Sequence, residues 1–329
     1  MGASVLQVKN LRTVLDLSSG SVPVVDDVSF DVGAGETLGI VGESGSGKSM
    51  TALSIMQVLP QPIGRIESGE ILLEQTNLVG MSDEEIAKVR GREIGMILQD
   101  PHTSLNPVFT VGNQVIEALQ INNPGTPRRS LMTRVVDLLK KVNVADAARR
   151  VHAYPHQMSG GMKQRVVGAI AIAGAPKVII ADEPTTALDV TIQLQYLQLL
   201  REIQDETGTA ILFITHDLGI VANLCHKLVV MYGGKIVESG TVSDVFRAPS
   251  HPYTEALLNS VPSVDQKVDR LYAIEGQPPA LSADRKGCSF APRCPYAQEI
   301  CKRDVPQQEA GLSGADNHFA SCWNMGRKT

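Results

Sequence analysis

The sequence predicts an α/β fold on a largely parallel sheet, with an inserted helical subdomain and a small irregular cysteine-containing module towards its carboxy terminus. Three features carry that expectation. Short β-branched runs alternate with longer amphipathic stretches over residues 1–245. A Gly-rich run, Gly42 to Ser49, lies directly between an apolar run and a helical stretch. Beyond about residue 246 proline recurs, four of the five cysteines appear and periodicity fades, which places a boundary near 246–270. Composition agrees: 329 residues, 43% apolar and 20% charged, suffice for an ordinary core, and 4% aromatic content makes that core aliphatic.

Residues 37–41, 94–98, 178–181 and 210–214 are short and apolar on both faces, as buried parallel strands are. Residues 50–57, 162–173, 191–206 and 218–225 follow as helices, the last three with apolar residues at three-to-four spacing. Residues 82–90 and 128–141 are more charged helical stretches, the second entered through a Pro/Gly loop at 122–127, and about 100–165 reads as the helical subdomain. In the carboxy-terminal module only 253–258 keeps a periodic pattern, and a segment so poor in apolar residues needs a staple. No internal repeat is visible.

Several function classes are excluded. A net charge of −5 without a basic block argues against nucleic acid as partner. No apolar run reaches the roughly 18–20 residues of a bilayer span; the longest mild stretch, 166–176, is interrupted by Gly168 and Gly174. The first ten residues lack an export pattern, and Gly2 with Leu6 is no myristoylation signal. The expected location is the cytoplasm, where the cysteines are reduced or metal-bound.

Gly42-Glu43-Ser44-Gly45-Ser46-Gly47-Lys48-Ser49 follows an expected strand and opens a helix at Met50, the setting that makes this spacing a P-loop. Its glycines let successive N–H groups point into one concavity. The helix start adds positive charge, Lys48 reaches the β/γ-phosphates and Ser49 can ligate Mg²⁺. Residues 178–183 form a buried strand ending in Asp182 and Glu183, at the end of the strand where open α/β sheets bind ligands. Neighbouring strand residues face opposite ways, so one acid holds Mg²⁺ while the other polarises the attacking water. Met158-Ser159-Gly160-Gly161-Met162 is a turn at a helix start, a second anion site that one ATP does not need.

The P-loop, Gln99 at a strand end, the Ser-Gly-Gly turn, Asp182-Glu183, Thr186-Ala187-Leu188-Asp189 and Thr215-His216-Asp217, in this order, resemble the ATPase subunit of an ATP-binding-cassette (ABC) transporter over residues 5–245. The resemblance implies a head-to-tail pair of cassettes burying two ATPs, each between one P-loop and the partner's Ser-Gly-Gly turn. By it Gly42, Ser44, Gly45, Ser46, Gly47, Lys48, Ser49 and Met50 bind ATP; Ser49, Gln99 and Asp182 surround Mg²⁺; Glu183 is the base; and His216 contacts the γ-phosphate. Ser159, Gly160, Gly161 and Asp189 serve the opposite subunit's site, and Asp100 to Phe109 with the helical subdomain form the permease-docking surface. The chain departs from the family in two places: Met158 and Met162 flank Ser-Gly-Gly where the usual turn reads Leu-Ser-Gly-Gly-Gln, and Leu15 stands where an aromatic usually stacks on adenine.

His251 to Leu258, Glu275-Gly276-Gln277-Pro278-Pro279 and Gly287-Cys288-Ser289-Phe290-Ala291-Pro292-Arg293-Cys294-Pro295 resemble the tail of oligopeptide and dipeptide importer ATPases, a group that includes nickel and glutathione systems. That resemblance implies two membrane permease subunits, a second cassette, an extracytoplasmic solute-binding protein and a position on the cytoplasmic face of the membrane. A soluble cassette protein of repair or translation is the rival reading; such proteins carry two cassettes or a long coiled coil, and neither shows here. Cys288, Cys294, Cys301 and Cys322 are separated by five, six and twenty residues, which fits no common zinc or ferredoxin pattern, so spacing leaves zinc, iron–sulfur and plain thiols open. The importer resemblance implies a [4Fe–4S] cluster, with zinc as the alternative. Cys225 beside His226 reads as a small buried residue.

Overall fold

The computed structural model describes residues 4–18, 20–186, 188–261, 272–279, 282 and 286–326, so Ala187 of the Thr186–Asp189 motif and much of the expected boundary at 246–270 lie outside the described residues. The chain forms two compact units, one of Met1–Leu6, Val32–Glu36 and Gly80–Ile214, the other of Gln7–Asp31, Thr37–Val79 and Thr215–Thr329. The partition differs from a division at 245, because the carboxy-terminal stretch shares a unit with the Gly-rich loop.

In the first unit, Ile94–Ile97 runs parallel to Val178–Asp182, which runs parallel to the strand beginning at Ala210. Ile94 faces Val178, and Val178 faces Ala210. Every residue of Val178–Asp182 is buried, which is why the run carries no polar alternation. Gly95 lets the sheet approach its covering helix, since a Cβ there would lie 2.3 Å from the Ala171 carbonyl oxygen. Helices Val111–Asn122, Arg128–Lys141 and Gly160–Ile172 pack on one another as the helical subdomain. Thr110 caps the first, its Oγ1 accepting from the Asn113 N–H at 3.4 Å. Leu131, Val135 and Leu139 form the buried stripe of the second.

In the second unit, Thr37–Val41 pairs in parallel with Lys227–Tyr232, and that strand turns through Gly233 and Gly234 into antiparallel Lys235–Thr241. A four-stranded sheet of Gly20–Gly33, Ser4–Leu17, Gly64–Leu73 and Thr76–Asn77, in that spatial order, was not expected. The short strands Glu309–Ala310 and Phe319–Ala320 extend the edge of Lys235–Thr241, with Glu238 opposite Ala320.

The carboxy-terminal stretch is fastened by one buried carboxylate. Glu238, fully buried, accepts the Ser250 and His251 N–H groups at 2.8 Å each and lies 2.8 Å from His318 Nε2, itself fully buried. The core is mostly aliphatic as expected, with Tyr196 and Phe213 also buried; beside this carboxylate Tyr232, Tyr253 and Phe290 cluster with centroids 4.5–5.4 Å apart. Among the described residues no helix is long and apolar enough to cross a membrane.

Candidate active site

The fully buried strand Thr37–Val41 delivers the chain into Gly42, and α-helix Lys48–Ile55 leaves the loop. Two glycines are required sterically. Gly42 has φ +154°, and a Cβ there would sit 2.2 Å from the Met231 carbonyl oxygen; Gly47 has φ +103°, and a Cβ would sit 2.6 Å from that of Val24. Gly45, at φ +78°, meets nothing within 4 Å. Lys48, 6% exposed, donates through Nζ to the Gly42 and Glu43 carbonyls at 2.7 and 3.0 Å. Ser46 is buried and its Oγ has no partner, an orphaned polar atom beneath the loop. Ser44 and Ser49 are exposed and Met50 is half-buried. A concave backbone bend, a buried lysine and exposed hydroxyls at a helix start fit a phosphate with its Mg²⁺.

His216 lies in the same unit, exposed, just after the strand Ala210–Thr215. Asp217 caps the next helix, its Oδ1 accepting the Gly219 and Ile220 N–H groups at 2.8 and 3.2 Å. Leu15 is half-buried on Ser4–Leu17. Cys225 is partly buried, its sulfur 3.0 Å from where a Cβ on Gly39 would lie, and burial pushes the thiol up to about 12.

In the first unit, the structure joins two of the expected residues directly. Gln99 Nε2 donates to Glu183 Oε2 at 3.0 Å, and Thr186 Oγ1 donates to the same oxygen at 3.1 Å. Glu183 has φ +45°, a left-handed backbone that costs a non-glycine residue about 1–2 kcal/mol. Its N–H donates to the Ile214 carbonyl at 2.9 Å, which fixes that unusual turn to the neighbouring strand. Asp182, one residue earlier, is 6% exposed at the end of Val178–Asp182. The two adjacent acids therefore occupy different settings.

Ser159 and Asp189 are helix caps. Ser159 Oγ accepts the Met162 N–H at 3.4 Å, and Asp189 Oδ1 accepts that of Ile192 at 3.0 Å. The two glycines after Ser159 differ. A Cβ on Gly161 would lie 2.8 Å from Ile192 Cγ2, whereas one on Gly160 would meet nothing within 4 Å. Gly161 is thus a packing glycine between two helix starts, and Gly160 is free of steric demand from its own chain.

The four carboxy-terminal cysteines converge although their spacing is irregular. Cys288, Cys294, Cys301 and Cys322 line one small cavity with Phe290 and Trp323. Burial pushes the Cys288 thiol up to about 11, the Phe290 N–H works against that rise, and the other three sulfurs add to it. Backbone N–H groups of Gln298 and Asn324 donate to the Cys301 and Cys322 sulfurs at 3.5 and 3.4 Å. Among the described residues no group of three or more His, Cys, Asp or Glu is drawn together as a formed metal site. The expected [4Fe–4S] cluster and its zinc alternative are thus unsupported among the described residues: the four cysteines line one cavity without forming a metal-binding group.

The ABC transporter family profile matches residues 25–186, and the oligopeptide/dipeptide transporter C-terminal region matches residues 237–301. A probable peptide ABC transporter ATP-binding protein, y4tR of Sinorhizobium fredii, is 47% identical over 319 residues, covering 97% of this chain and 94% of the relative. The chain belongs to the ABC transporter family. A second ABC relative, the dipeptide transport ATP-binding protein DppD of Lactococcus lactis subsp. cremoris, is also 47% identical over 97% of this chain and 90% of its own. The dimeric post-hydrolysis state of the ATP-binding cassette MJ0796, bound to ADP and Pi, superposes with a TM-score of 0.65 at 26% identity, covering 72% of this chain and 98% of that one. As an ABC cassette the chain is an ATPase, with the α/β fold and helical insertion of that family.

Two residues beside the P-loop carried no assigned role in the sequence reading. Tyr253 Oη accepts the Glu43 N–H at 2.8 Å, and Arg293 pairs with the Glu43 carboxylate at 2.8 Å. They stand in the His251-Pro252-Tyr253 and Pro292-Arg293-Cys294 blocks, 210 and 250 residues along the chain from Glu43. A charged residue inside an apolar, cysteine-rich block was the available signal.

Proposed function

We propose that this ATPase energises import of di- and oligopeptides through a membrane permease, as the peripheral subunit on the cytoplasmic face. The observation that carries the substrate class is the identity of 47% across 97% of the chain with proteins named for peptide and dipeptide transport. The carboxy-terminal match at residues 237–301 supports an importer of this group over a soluble cassette role. Two permease subunits, a second cassette and an extracytoplasmic binding protein complete the assembly.

Within the site, Lys48 and the amides of Gly45 to Met50 hold the phosphates. By the family resemblance Ser49, Gln99 and Asp182 would hold Mg²⁺, which would supply charge neutralisation on the transferring phosphoryl group. Glu183 takes a proton from the attacking water, and Gln99 and Thr186, which share one of its oxygens at 3.0 and 3.1 Å, keep it aimed. His216 contacts the γ-phosphate. Ser159 and Gly160 present amides to the partner's nucleotide, with Gly161 and Asp189 shaping that surface. Cys288, Cys294, Cys301 and Cys322 would hold a [4Fe–4S] cluster, with zinc second; the four cysteines line one cavity, and backbone N–H groups bond to two of the sulfurs.

Purification of the tagged protein from gently solubilised membranes tests the transport reading. Co-purification of a multi-span permease is expected, and peptide-stimulated ATPase of the complex with its binding protein identifies the substrate. Recovery only from the soluble fraction, with ribosomes or DNA-processing proteins, would reject transport and leave the ATPase. Anaerobic purification with iron, sulfide and zinc analysis tests the cysteine site; about four irons and four sulfides per chain are expected.

A further inference from the structure

The P-loop is not held by its own unit's sheet alone. Its second residue, Glu43, is gripped from the carboxy-terminal stretch at both main chain and side chain. Tyr253 Oη accepts the Glu43 N–H at 2.8 Å, so that amide is committed away from any phosphate. Arg293 Nη1 and Nη2 reach Glu43 Oε2 and Oε1 at 2.8 and 3.3 Å, a two-pronged pair with the arginine side chain only 6% exposed.

Arg293 is itself fixed on three further sides. Its Nε donates to the Glu275 carbonyl at 2.9 Å, its Nη2 to that of Ile274 at 3.2 Å, and its Nη1 to Tyr232 Oη at 3.1 Å. The guanidinium also lies 5.9 Å from the centroid of the Tyr232 ring. Tyr232 ends the strand paired with Thr37–Val41, and its ring contacts Tyr253 and Phe290. Cys288 and Cys294 pack against this same core, which also contains Val41, the residue before the loop.

We propose that Arg293, with Tyr253, is a positioning residue of the nucleotide site: it holds the first turn of the P-loop through Glu43 and neutralises that carboxylate beside the bound phosphates, making the four-cysteine module a structural part of the ATP site. The proposal rests on reading Gly42–Ser49 as the phosphate cradle. A loop preorganised in this way binds phosphate without an ordering cost. An unpaired carboxylate at its second position opposes the anion. Arg293 reaches the loop through Glu43, so its loss falls on affinity and not on the chemical step.

The test is ADP affinity by calorimetry on the full chain, together with ATPase kinetics, for Arg293→Met, Glu43→Gln and the double variant. Arg293→Met is expected to weaken ADP about tenfold and raise KM for ATP similarly, with kcat within about twofold. In the Glu43→Gln background the same substitution is expected to change ADP affinity less than about twofold, because the group it serves is gone. Equal weakening in both backgrounds, or no weakening in either, overturns the proposal.

Tyr253→Phe removes one oxygen and leaves the ring packing, so it decides the matter should Arg293→Met not fold; weaker ADP binding supports the proposal and unchanged binding overturns it. Lys48→Ala separates the two levels of inference. Loss of ADP binding there keeps the cradle reading in place, so that a silent Arg293→Met counts against the arginine alone. Retained binding in Lys48→Ala brings both down.

Discussion

At the level of single residues, Glu183 gathers the most unusual features: a left-handed backbone, a fixed N–H and two donors on one carboxylate oxygen. A residue kept in such a conformation is over-determined by its surroundings, as functional residues are. Glu183→Gln is expected to retain nucleotide binding and to slow steady-state hydrolysis by about 10²–10⁴-fold, measured as phosphate release. Normal turnover in that variant would remove Glu183 from the role of base. Cys225 gives a pH prediction. Burial raises its thiol from 9.0 to about 12, so the folded chain keeps a proton that the unfolded chain releases. Its contribution to stability is therefore complete below pH 9 and declines as pH rises towards 12. Melting temperature followed from pH 8 to 11 should fall more steeply for the wild type than for Cys225→Ala, and parallel curves would contradict the assignment.

At the level of elements, the fold is legible in the sequence where one element is governed by one pattern. Thr37–Val41 and Arg128–Lys141 have the expected bounds: the first is a short run, buried on both faces, that ends at the glycine-rich loop, and the second is a charged helical stretch entered through a Pro/Gly loop. The antiparallel sheet was illegible for a definite reason. Asn10 and Asp27 take φ +47° and +57°, and their side chains bond each other at 2.8 Å. Such left-handed breaks shift the alternation of buried and exposed residues, so Ser4–Leu17 and Gly20–Gly33 lack a clean period of two. Helix starts follow the same logic in the other direction: the Ser-Gly-Gly turn was legible as a helix start, but only packing separates the two glycines after Ser159. Gly161→Ala is expected to destabilise the fold by about 1–3 kcal/mol through its clash with Ile192, read by chemical denaturation. Gly160→Ala should leave stability nearly unchanged while lowering ATPase of the paired cassettes, and a large stability loss there would refute the distinction.

At the level of the whole chain, the motifs of the candidate site were readable because each lies within a few residues of sequence. The supports were not. Glu43 and Arg293 are 250 residues apart, and nothing local in either segment specifies the other. The same holds for Glu238, which serves Ser250, His251 and His318. Glu238→Ala would leave two buried N–H groups and a buried imidazole without their acceptor. A loss of about 3–5 kcal/mol is expected, with earlier proteolysis of the carboxy-terminal stretch than of the remainder. Unchanged denaturation and digestion would show that the carboxylate is not the fastening.

The pairing of Lys235–Thr241 with Phe319–Ala320 also sets a schedule for synthesis. Glu238 and its edge strand leave the ribosome about eighty residues before His318 and Ala320. At about 5–20 residues per second that interval lasts roughly 4–16 seconds. Throughout it the nascent chain carries an open sheet edge and a carboxylate awaiting its imidazole, exposed to chaperones, proteases and neighbouring chains. Stalled or prematurely terminated translation in this window would release a cassette with its P-loop motif complete in sequence and its sheet edge uncovered.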